Sequence, residues 1–509
     1  MTFSSTSTSY GNRTIDFATN DGSKASAVAT DTVNLLGLPK VTDVSSTTPD
    51  GSYKVGDTIY LTVTFDQAVT VDDAGGTPSL LMETGGVDHT ATYVSGSGSD
   101  TLTFAYTVQA GDTSADLDYA STAALALNGS TIRSGASVDA VLTLPATGDA
   151  NSIAGQHAIV VDGIAPAVVS VDAPANGTYV AGQSLDFTVN YSEAVTVDTS
   201  GGTPCIAITL DTGGTAYADY VSGSGSTALV FRYTVAAGQN DANGITLAGT
   251  IDANGGVIHD GVGNTEVAAL NGVASTSAVL VDAVPPTASI TLSDTALKAG
   301  ETSTVTITFS EAVSGLTVTD FTADNGSLSG LSSSDGGVTW TATFTPTTDV
   351  TDASNAITLN NAGYADAAGN TGTGTTTSPN YTIDTARPTA SITLSDTALK
   401  AGETSTVTIT FSEAVSGLTV TDFTADNGSL SGLSSSDGGV TWTATFTPTT
   451  DVTDASNAIT LNNAGYADAA GNTGTGTTTS PNYTIDTARP TASITLSDTA
   501  LKAGETSTV

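Results

Sequence analysis

Cysteine, basic side chains and aromatic rings are scarce in this sequence of 509 residues. Cys205 is the only cysteine, so no disulfide can form within the chain, and stability must come from packing or from bound metal. Basic residues number 11 against 51 acidic ones, which gives a formal charge of −40. A surface this negative repels phosphate, so nucleic acid is excluded as a natural partner, whereas divalent cations are attracted.

Long apolar runs are also missing. No segment approaches the roughly 20 apolar residues that a membrane-spanning helix needs. The N-terminal sequence "MTFSSTSTSYGNRTIDF" has neither the basic start nor the apolar stretch of a cleavable signal peptide. The sequence therefore predicts no membrane span in this segment. It leaves two locations open, the cytoplasm or the cell exterior after export by a signal that lies outside this stretch.

Side chains for the common catalytic sites are rare. His89, His157 and His259 form no metalloprotease motif, and beyond His259 the chain contains neither histidine nor cysteine. A Ser/His/Asp or Cys/His site therefore has no candidate base there. Aromatic residues make up only 6% of the chain, too few to line a sugar-cleaving cleft. Trp340 and Trp442 alternate with apolar residues and are interpreted as core, so the sequence predicts no enzyme.

The most informative feature that is present is a repeat. The segment "ITLSDTALKAGETSTV" begins at Ile290 and recurs at Ile392 and Ile494, so the period, 392 − 290, is 102 residues. The two complete copies are identical, and two more loosely related units precede them, both containing "YVSGSGS". The third copy stops after 16 residues. We therefore expect the array to continue beyond this stretch at both ends.

Apolar residues alternate with polar ones in every unit. In "ETSTVTITFSEAV", Val305, Ile307 and Phe309 lie on one face of a predicted strand and threonines lie on the other. The same alternation gives two further sets: Val338, Trp340, Ala342 and Phe344; and Ile59, Leu61, Val63 and Phe65. Turn signals such as "DNGS" separate the strands, and no long amphipathic helix is indicated. Units of about 100 residues with this pattern predict an all-β fold of tandem antiparallel immunoglobulin-like β-sandwiches, arranged as beads on a string.

The units predict six segments. Residues 1–39 form the C-terminal part of a preceding β domain, with "RTIDFATNDG" and "DTVNLLG" as a hairpin. Immunoglobulin-like domains follow at residues 40–165 and 166–286. The identical repeats occupy residues 287–388 and 389–490, and residues 491–509 begin a further, truncated repeat.

Three motifs connect the units to a known family. They are "FSEAV" at residues 309–313, "YADAAGN" at residues 364–370, and the joint "IDTARPTASIT". With these motifs in tandem, the chain from Lys40 onward resembles the bacterial immunoglobulin-like domains of giant repetitive surface adhesins, which are usually exported by type I secretion in Gram-negative bacteria. The first 39 residues resemble the end of a cadherin-like module. The resemblance implies an extracellular location at the bacterial surface and a role in adhesion and biofilms.

Acidic residues recur at three positions of these units. In an immunoglobulin-like sandwich the loop that starts with "SEAV" and the "DAAGN" loop share one pole, and the linker from the preceding domain enters there. Carboxylates brought together at such a joint repel one another unless a cation lies between them, and their hard oxygens suit Ca²⁺. The predicted calcium sites are Asp282, Glu311 and Asp366; Asp384, Glu413 and Asp468; and Asp162, Glu193 and Asp260. Asn264, Asn370 and Asn472 are expected either to supply a carbonyl oxygen or to hold a turn.

The unit at residues 40–165 lacks all three acids together. Gln67 replaces the glutamate, Ser134 replaces the loop aspartate, and Leu35 stands where the linker aspartate is expected. Joint loss favours one shared ion over three independent surface charges. A plain turn remains the alternative for "DAAGN", because Asp, Asn and Gly are ordinary turn formers.

Identical neighbours favour a function in which length matters. We expect a structural stalk segment of a large bacterial adhesin that extends a distal binding domain, with calcium stiffening its joints. Two alternatives stay open. A unit within residues 40–286 binds a glycan or a protein, on a host, a surface or a neighbouring cell. Otherwise the units are spacers of a large secreted polysaccharide-active enzyme.

Overall fold

A computed structural model describes residues 11–19, 22–35 and 37–509 of the chain. Within these residues, β-strands predominate and helices are a single turn long. No helix in this described part is both long and apolar enough to cross a membrane. The chain divides into two compact units, Met1–Ala283 and Val284–Val509, which are described in turn.

The first unit begins with a hairpin. Strand β1 (Gly11–Phe17) pairs antiparallel with β2 (Ala29–Leu35), and Ile15 lies opposite Asp31. This is the hairpin expected from the sequence. Its relation to a cadherin-like module stays a prediction.

The first sandwich of this unit has two sheets. One sheet has the order β10-β6-β7-β8-β5-β11, with β3 also paired to β5, and the other has the order β4-β12-β9. The long strand β5 buries Ile59, Leu61 and Val63 completely, as the alternation predicts. The elements are β3 (Val41–Ser46), β4 (Gly51–Tyr53), β5 (Thr58–Asp72), β6 (Ser79–Met82), β7 (His89–Ser95), β8 (Ser99–Thr107), β9 (Thr113–Ser114), β10 (Leu125–Ala126), β11 (Thr131–Ser134), helix α1 (Ile153–Gln156) and β12 (Ile159–Asp162).

The second sandwich repeats this plan. Its large sheet has the order β13-β15-β18-β17-β16-β20, with β21 also paired to β15, and its small sheet has the order β14-β22-β19. Cys205 is buried. The strands are β13 (Val168–Asp172), β14 (Gly177–Tyr179), β15 (Ser184–Asp198), β16 (Cys205–Thr209), β17 (Thr215–Ser222), β18 (Ser226–Thr234), β19 (Asn240–Asp241), β20 (Thr246–Asp252), β21 (Val257–His259) and β22 (Val279–Asp282).

The second unit contains the two identical repeats. In the first repeat the sheets are β23-β25-β28-β27, β24-β32-β29 and β26-β30-β31. The strands are β23 (Ala288–Leu292), β24 (Ala296–Lys298), β25 (Ser303–Phe309), β26 (Phe321–Ala323), β27 (Gly326–Ser333), β28 (Thr339–Pro346), β29 (Thr351–Asn355), β30 (Ile357–Asn360), β31 (Thr375–Thr377) and β32 (Tyr381–Asp384), with short 3-10 helices at Val318–Asp320 and Asn361–Gly363.

The second repeat has the same elements in the same sheets. They are β33 (Ala390–Leu394), β34 (Ala398–Lys400), β35 (Ser405–Phe411), β36 (Phe423–Ala425), β37 (Gly428–Ser435), β38 (Thr441–Pro448), β39 (Thr453–Asn457), β40 (Ile459–Asn462), β41 (Thr477–Thr479) and β42 (Tyr483–Asp486), with 3-10 helices at Val420–Asp422 and Asn463–Gly465. Residues 491–509 contain no strand.

Each sandwich has its own hydrophobic core. In the first repeat Val305, Ile307 and Phe344 are fully buried. Trp340 and Trp442 pack against the edges of their cores at half-buried positions. The predicted all-β architecture of tandem, mainly antiparallel sandwiches is thereby confirmed. In each of the four described sandwiches one short strand near the start pairs in parallel with the last strand.

Candidate metal centre at the domain joints

The first acidic trio lies entirely within the first unit. Asp162 is the last residue of β12, which closes one sandwich and leads into the next. Glu193 lies in β15, where the pairing register shifts between Asn190 and Val195, and Asp260 directly follows β21. One carboxylate oxygen of each of the three residues lies within 4.8 Å of the others. The fold therefore brings together three side chains that are far apart in sequence.

The last trio has the same arrangement within the second unit. Asp384 ends β32, Glu413 follows β35, and Asp468 follows the 3-10 helix Asn463–Gly465. Their carboxylate oxygens again lie within 4.8 Å of one another. Two joints with different surrounding sequences thus contain the same cluster.

The middle trio involves both units. Glu311 and Asp366 belong to the second unit, and a carboxylate oxygen of each lies within 4.8 Å of the other. Asp282 is the last residue of β22 in the first unit. A site that includes Asp282 stays a prediction from the sequence.

The glutamates of the two complete clusters are electrostatically disfavoured as anions. Burial, followed by the charges of Asp162 and Asp260, raises the pKa of Glu193 above its ordinary value. Burial, followed by the charges of Asp468 and Asp384, likewise raises the pKa of Glu413. A cation between the carboxylates would reverse the repulsive contribution.

The loop aspartates also hold a turn. Oδ1 of Asp260 accepts hydrogen bonds from the backbone N–H groups of Val262, Gly263 and Asn264, at 2.9, 2.6 and 2.8 Å. Asp260 is only 1% exposed. This oxygen therefore holds a turn, as the alternative interpretation of the loop predicts. This role does not conflict with metal binding, because a carboxylate has lone pairs for several partners.

The first sandwich shows that the turn does not require an acid. Ser134 and Asp260 both begin a turn in which their own backbone N–H bonds to the carbonyl four residues ahead, that of Val138 at 2.9 Å and that of Asn264 at 3.1 Å. Ser134 ends β11 and Asp260 directly follows β21, and these strands are equivalent, since β11 pairs with β5 as β21 pairs with β15. A serine therefore suffices for the turn, and the aspartates elsewhere need a further explanation.

Gln67 also differs from its counterparts in what it contacts. Its Nε2 donates a hydrogen bond to the carbonyl of Gly37 at 3.0 Å, so it binds the entering chain directly. The glutamates at this position have no proton to donate when ionised. The side chain of Leu35 lies outside what the structure describes.

The comparisons with known proteins bear on the two repeats. Residues 282–383 and 384–485 each match the family of the bacterial Ig-like domain. These two segments are bacterial Ig-like domains. They stand in tandem, and each match begins at a linker aspartate, Asp282 or Asp384.

Several solved structures of surface proteins are weakly similar to this chain. The adhesin FdeC of Escherichia coli is 12% identical over 62% of this chain and 96% of its own, with a TM-score of 0.24. The adhesin InvE of Yersinia pseudotuberculosis is 16% identical over 38% of this chain and 58% of its own, with a TM-score of 0.17. The D0–D1 domain of intimin is 17% identical over 40% and 100%, with a TM-score of 0.14. TM-scores this low support no conclusion about the chain. No curated protein matches it.

In the Ig-like domains the donor chemistry fits a hard cation. Ca²⁺ takes six to eight oxygen ligands, and carboxylates are the commonest side-chain donors. Each complete cluster supplies three carboxylates from three separate segments. Asp384 has one oxygen engaged by the Thr351 hydroxyl at 2.9 Å, whereas Glu413 accepts no hydrogen bond within the described part of the chain. The glutamate is therefore the ligand most readily available to a metal.

The sequence did not point to the turn that each joint uses from the preceding domain. The Lys54 ammonium donates to the carbonyl of Gly263 at 2.9 Å, across the joint of the first unit. In the second unit the Ala299 N–H of the corresponding turn donates to Oδ1 of Asn472 at 2.8 Å, and Arg387 of the linker donates from Nη1 to the carbonyl of Thr473 at 2.7 Å. The signal was available, because "KVGD" and "KAGE" place two of the few lysines before a Gly-acid pair in the units at residues 40–165 and 287–388.

Proposed function

We propose that this chain is a segment of the extended stalk of a large bacterial surface adhesin, with Ca²⁺ at the joints between its Ig-like domains. One observation supports this proposal most directly. Three equivalent carboxylates meet at a joint in each unit, and their oxygens lie within 4.8 Å of one another. The protein would act outside the cell, exported by type I secretion from a Gram-negative bacterium.

The mechanism is electrostatic. Without a cation the clustered carboxylates repel one another, and the joints flex. A bound Ca²⁺ replaces that repulsion with attraction, so the linker is held against the glutamate and the loop aspartate. Since the chain has a single cysteine, no disulfide can perform this task.

The test is calcium titration of the full chain by calorimetry, with thermal melts and small-angle scattering in calcium and in chelator. Calcium should bind, raise the melting temperature and narrow the range of conformations. Identical melts and scattering curves in calcium and chelator would refute the calcium part of the proposal. The stalk part would be refuted if flanking sequence encoded a catalytic module for which these units are spacers.

Exposed apolar rings favour a second function for the two earlier sandwiches. Tyr60 is 46% exposed and Tyr217 is 52% exposed, whereas the corresponding sheets of the repeats present threonines and serines. Such rings suit contact with a glycan or a protein partner. Glycan-array binding by the full chain that is lost in Tyr60→Ser or Tyr217→Ser would support this second function, and absence of binding would remove it.

A further inference from the structure

We propose that Asn264 and Asn472 set the angle between consecutive Ig-like domains, through hydrogen bonds that require no metal. Each asparagine lies in the Gly-Asn loop next to an acidic cluster and is nearly fully buried, with 4% and 2% exposed. The inference adds a second element to the joint. It depends on the proposed stalk function only for its biological meaning.

Each of these amides joins three segments of the chain. Nδ2 of Asn472 donates to the linker carbonyl of Asp384 at 2.8 Å and to Oδ2 of Asp468 at 2.8 Å. Oδ1 of Asn472 accepts from the backbone N–H of Ala299 at 2.8 Å, in the preceding repeat. Both amide hydrogens and the carbonyl oxygen are therefore used, which fixes the orientation of the side chain.

The joint of the first unit is built identically from different residues. Nδ2 of Asn264 donates to the carbonyl of Asp162 at 2.8 Å and to Oδ2 of Asp260 at 2.7 Å. Oδ1 accepts from the backbone N–H of Val55 at 3.2 Å. The loops read "HDGVGN" and "YADAAGN" and the partner turns read "KVGD" and "KAGE". The arrangement therefore recurs where the sequence has diverged.

The partner turn is shaped to present this N–H group. In the repeat, the N–H of Glu301 bonds to the carbonyl of Lys298 at 3.1 Å, and the Glu301 carboxylate accepts from the N–H of Lys298 at 3.2 Å. Gly300 has φ +85°, which a type II turn requires at its third position and which favours glycine. Ala299 occupies the second position, so its N–H points out of the turn and is free for Asn472.

The amide and the carboxylates beside it differ in charge. The asparagine is neutral, and both of its amide hydrogens and its oxygen have a protein partner, so its contacts require no cation. The carboxylates repel one another until a cation binds. We therefore assign the direction of each joint to the asparagine and its additional stiffness to the metal.

The decisive variant is Ala299→Pro. Proline is favoured at the second position of a type II turn and has no N–H, so the substitution deletes one donor and keeps the turn. Lys298 ends a strand and already has the extended conformation that a following proline demands. Ala401→Pro is the matched control, because Ala401 occupies the second position of the same turn in the second repeat, and no residue in the described part accepts from its N–H.

The measurement is the distance distribution between spin labels on the two repeats of the full chain. Labels at Thr343→Cys and Thr445→Cys, both exposed sites, are introduced with Cys205→Ala. Ala299→Pro should lower the equilibrium constant for the docked joint by about 2- to 10-fold, the range for one net hydrogen bond, and broaden the distribution in calcium and in chelator alike. Ala401→Pro should leave it as in the parent.

The outcomes distinguish this inference from the calcium proposal. If Ala299→Pro leaves the distribution as narrow as in the parent in both conditions, the asparagine does not set the angle. If Ala299→Pro broadens it while chelator alone changes nothing, the asparagine sets the angle and the calcium proposal fails. Unchanged circular dichroism of both variants would show that each domain remains folded.

Discussion

A carboxylate oxygen of Glu413 lies within 4.8 Å of one from Asp468, and both belong to a joint that the chain enters through Asp384. Burial and these two neighbouring charges raise the pKa of Glu413. The two neighbouring carboxylates thus oppose the ionisation of this glutamate. Substituting it tests the cluster without disturbing the turn that Asp468 holds.

Glu413→Gln should abolish the effect of calcium at its own joint. One calcium ion fewer should bind to the full chain, because a neutral amide replaces one of three carboxylates. At a calcium concentration about 100 times the Kd, the wild-type joint should gain about 2.7 kcal/mol from binding, and the variant should lose this gain. Calorimetry gives the stoichiometry and thermal melts give the stability. The control is Asp451→Asn, which removes one exposed charge from the same repeat; if it lowers the stoichiometry equally, the cluster is not the site.

The pH dependence of stability in chelator should reveal the raised pKa of Glu193 and Glu413. Because the folded-state pKa exceeds the unfolded one, the folded chain binds more protons between these two values. Stability from these groups is therefore present below the ordinary glutamate pKa and is lost as pH rises through the raised pKa. The difference in unfolding free energy between the parent chain and Glu413→Gln should follow this trend in chelator, and calcium should suppress it. A difference independent of pH in chelator would contradict the assignment.

Gln67→Glu should weaken the first sandwich at its entry pole. The substitution removes the donor that binds the carbonyl of Gly37 at 3.0 Å, at a cost of about 0.5–1.5 kcal/mol. Calcium should not restore the loss, because Ser134 supplies no carboxylate there. Hydrogen exchange of the amides around Gly37 and Ser134 measures the local opening. Recovery of protection on adding calcium would show that one glutamate is enough to bind the ion.

Removing the hydroxyl group should change the stability of a repeat differently for two of its tyrosines. Among the described residues, the buried hydroxyl of Tyr364 has no hydrogen-bond partner. That of Tyr381 donates to the carbonyl of Asp324 at 2.6 Å. Tyr364→Phe should be neutral or stabilising by about 1 kcal/mol, whereas Tyr381→Phe should destabilise by about 0.5–1.5 kcal/mol. Thermal melts compare the stability of the two variants. Equal losses of stability would mean that the Tyr364 hydroxyl also has a hydrogen-bond partner.

The strands were predictable wherever an alternating pattern met a partner within the same domain. Val305, Ile307 and Phe309 were assigned to the buried face from their spacing alone, and they are buried. Ile290 is likewise buried, with 4% exposed, and it pairs with Ile307 of β25, a separate strand further along the chain. Strand formation here depends on pairing across the sheet, which a local pattern does not encode.

The site was predictable in part for a similar reason. Asp384, Glu413 and Asp468 could be brought to one pole from the topology of a sandwich, since the ends of strands determine their position. The role of Asn472 could not, because its partner Ala299 contributes only a backbone N–H, and any residue except proline offers that group. The shape of the turn around Ala299 determines the contact. That shape, and the loop it meets in the next domain, exist only once both domains are folded.

A joint takes its turn from one domain and its loop from the next, so the two halves of the contact between Ala299 and Asn472 belong to different copies. Deleting or duplicating one whole unit of 102 residues would unite the same two halves again. The length of such an array can therefore change between generations in steps of one domain, through recombination between its identical copies, with no new interface to evolve.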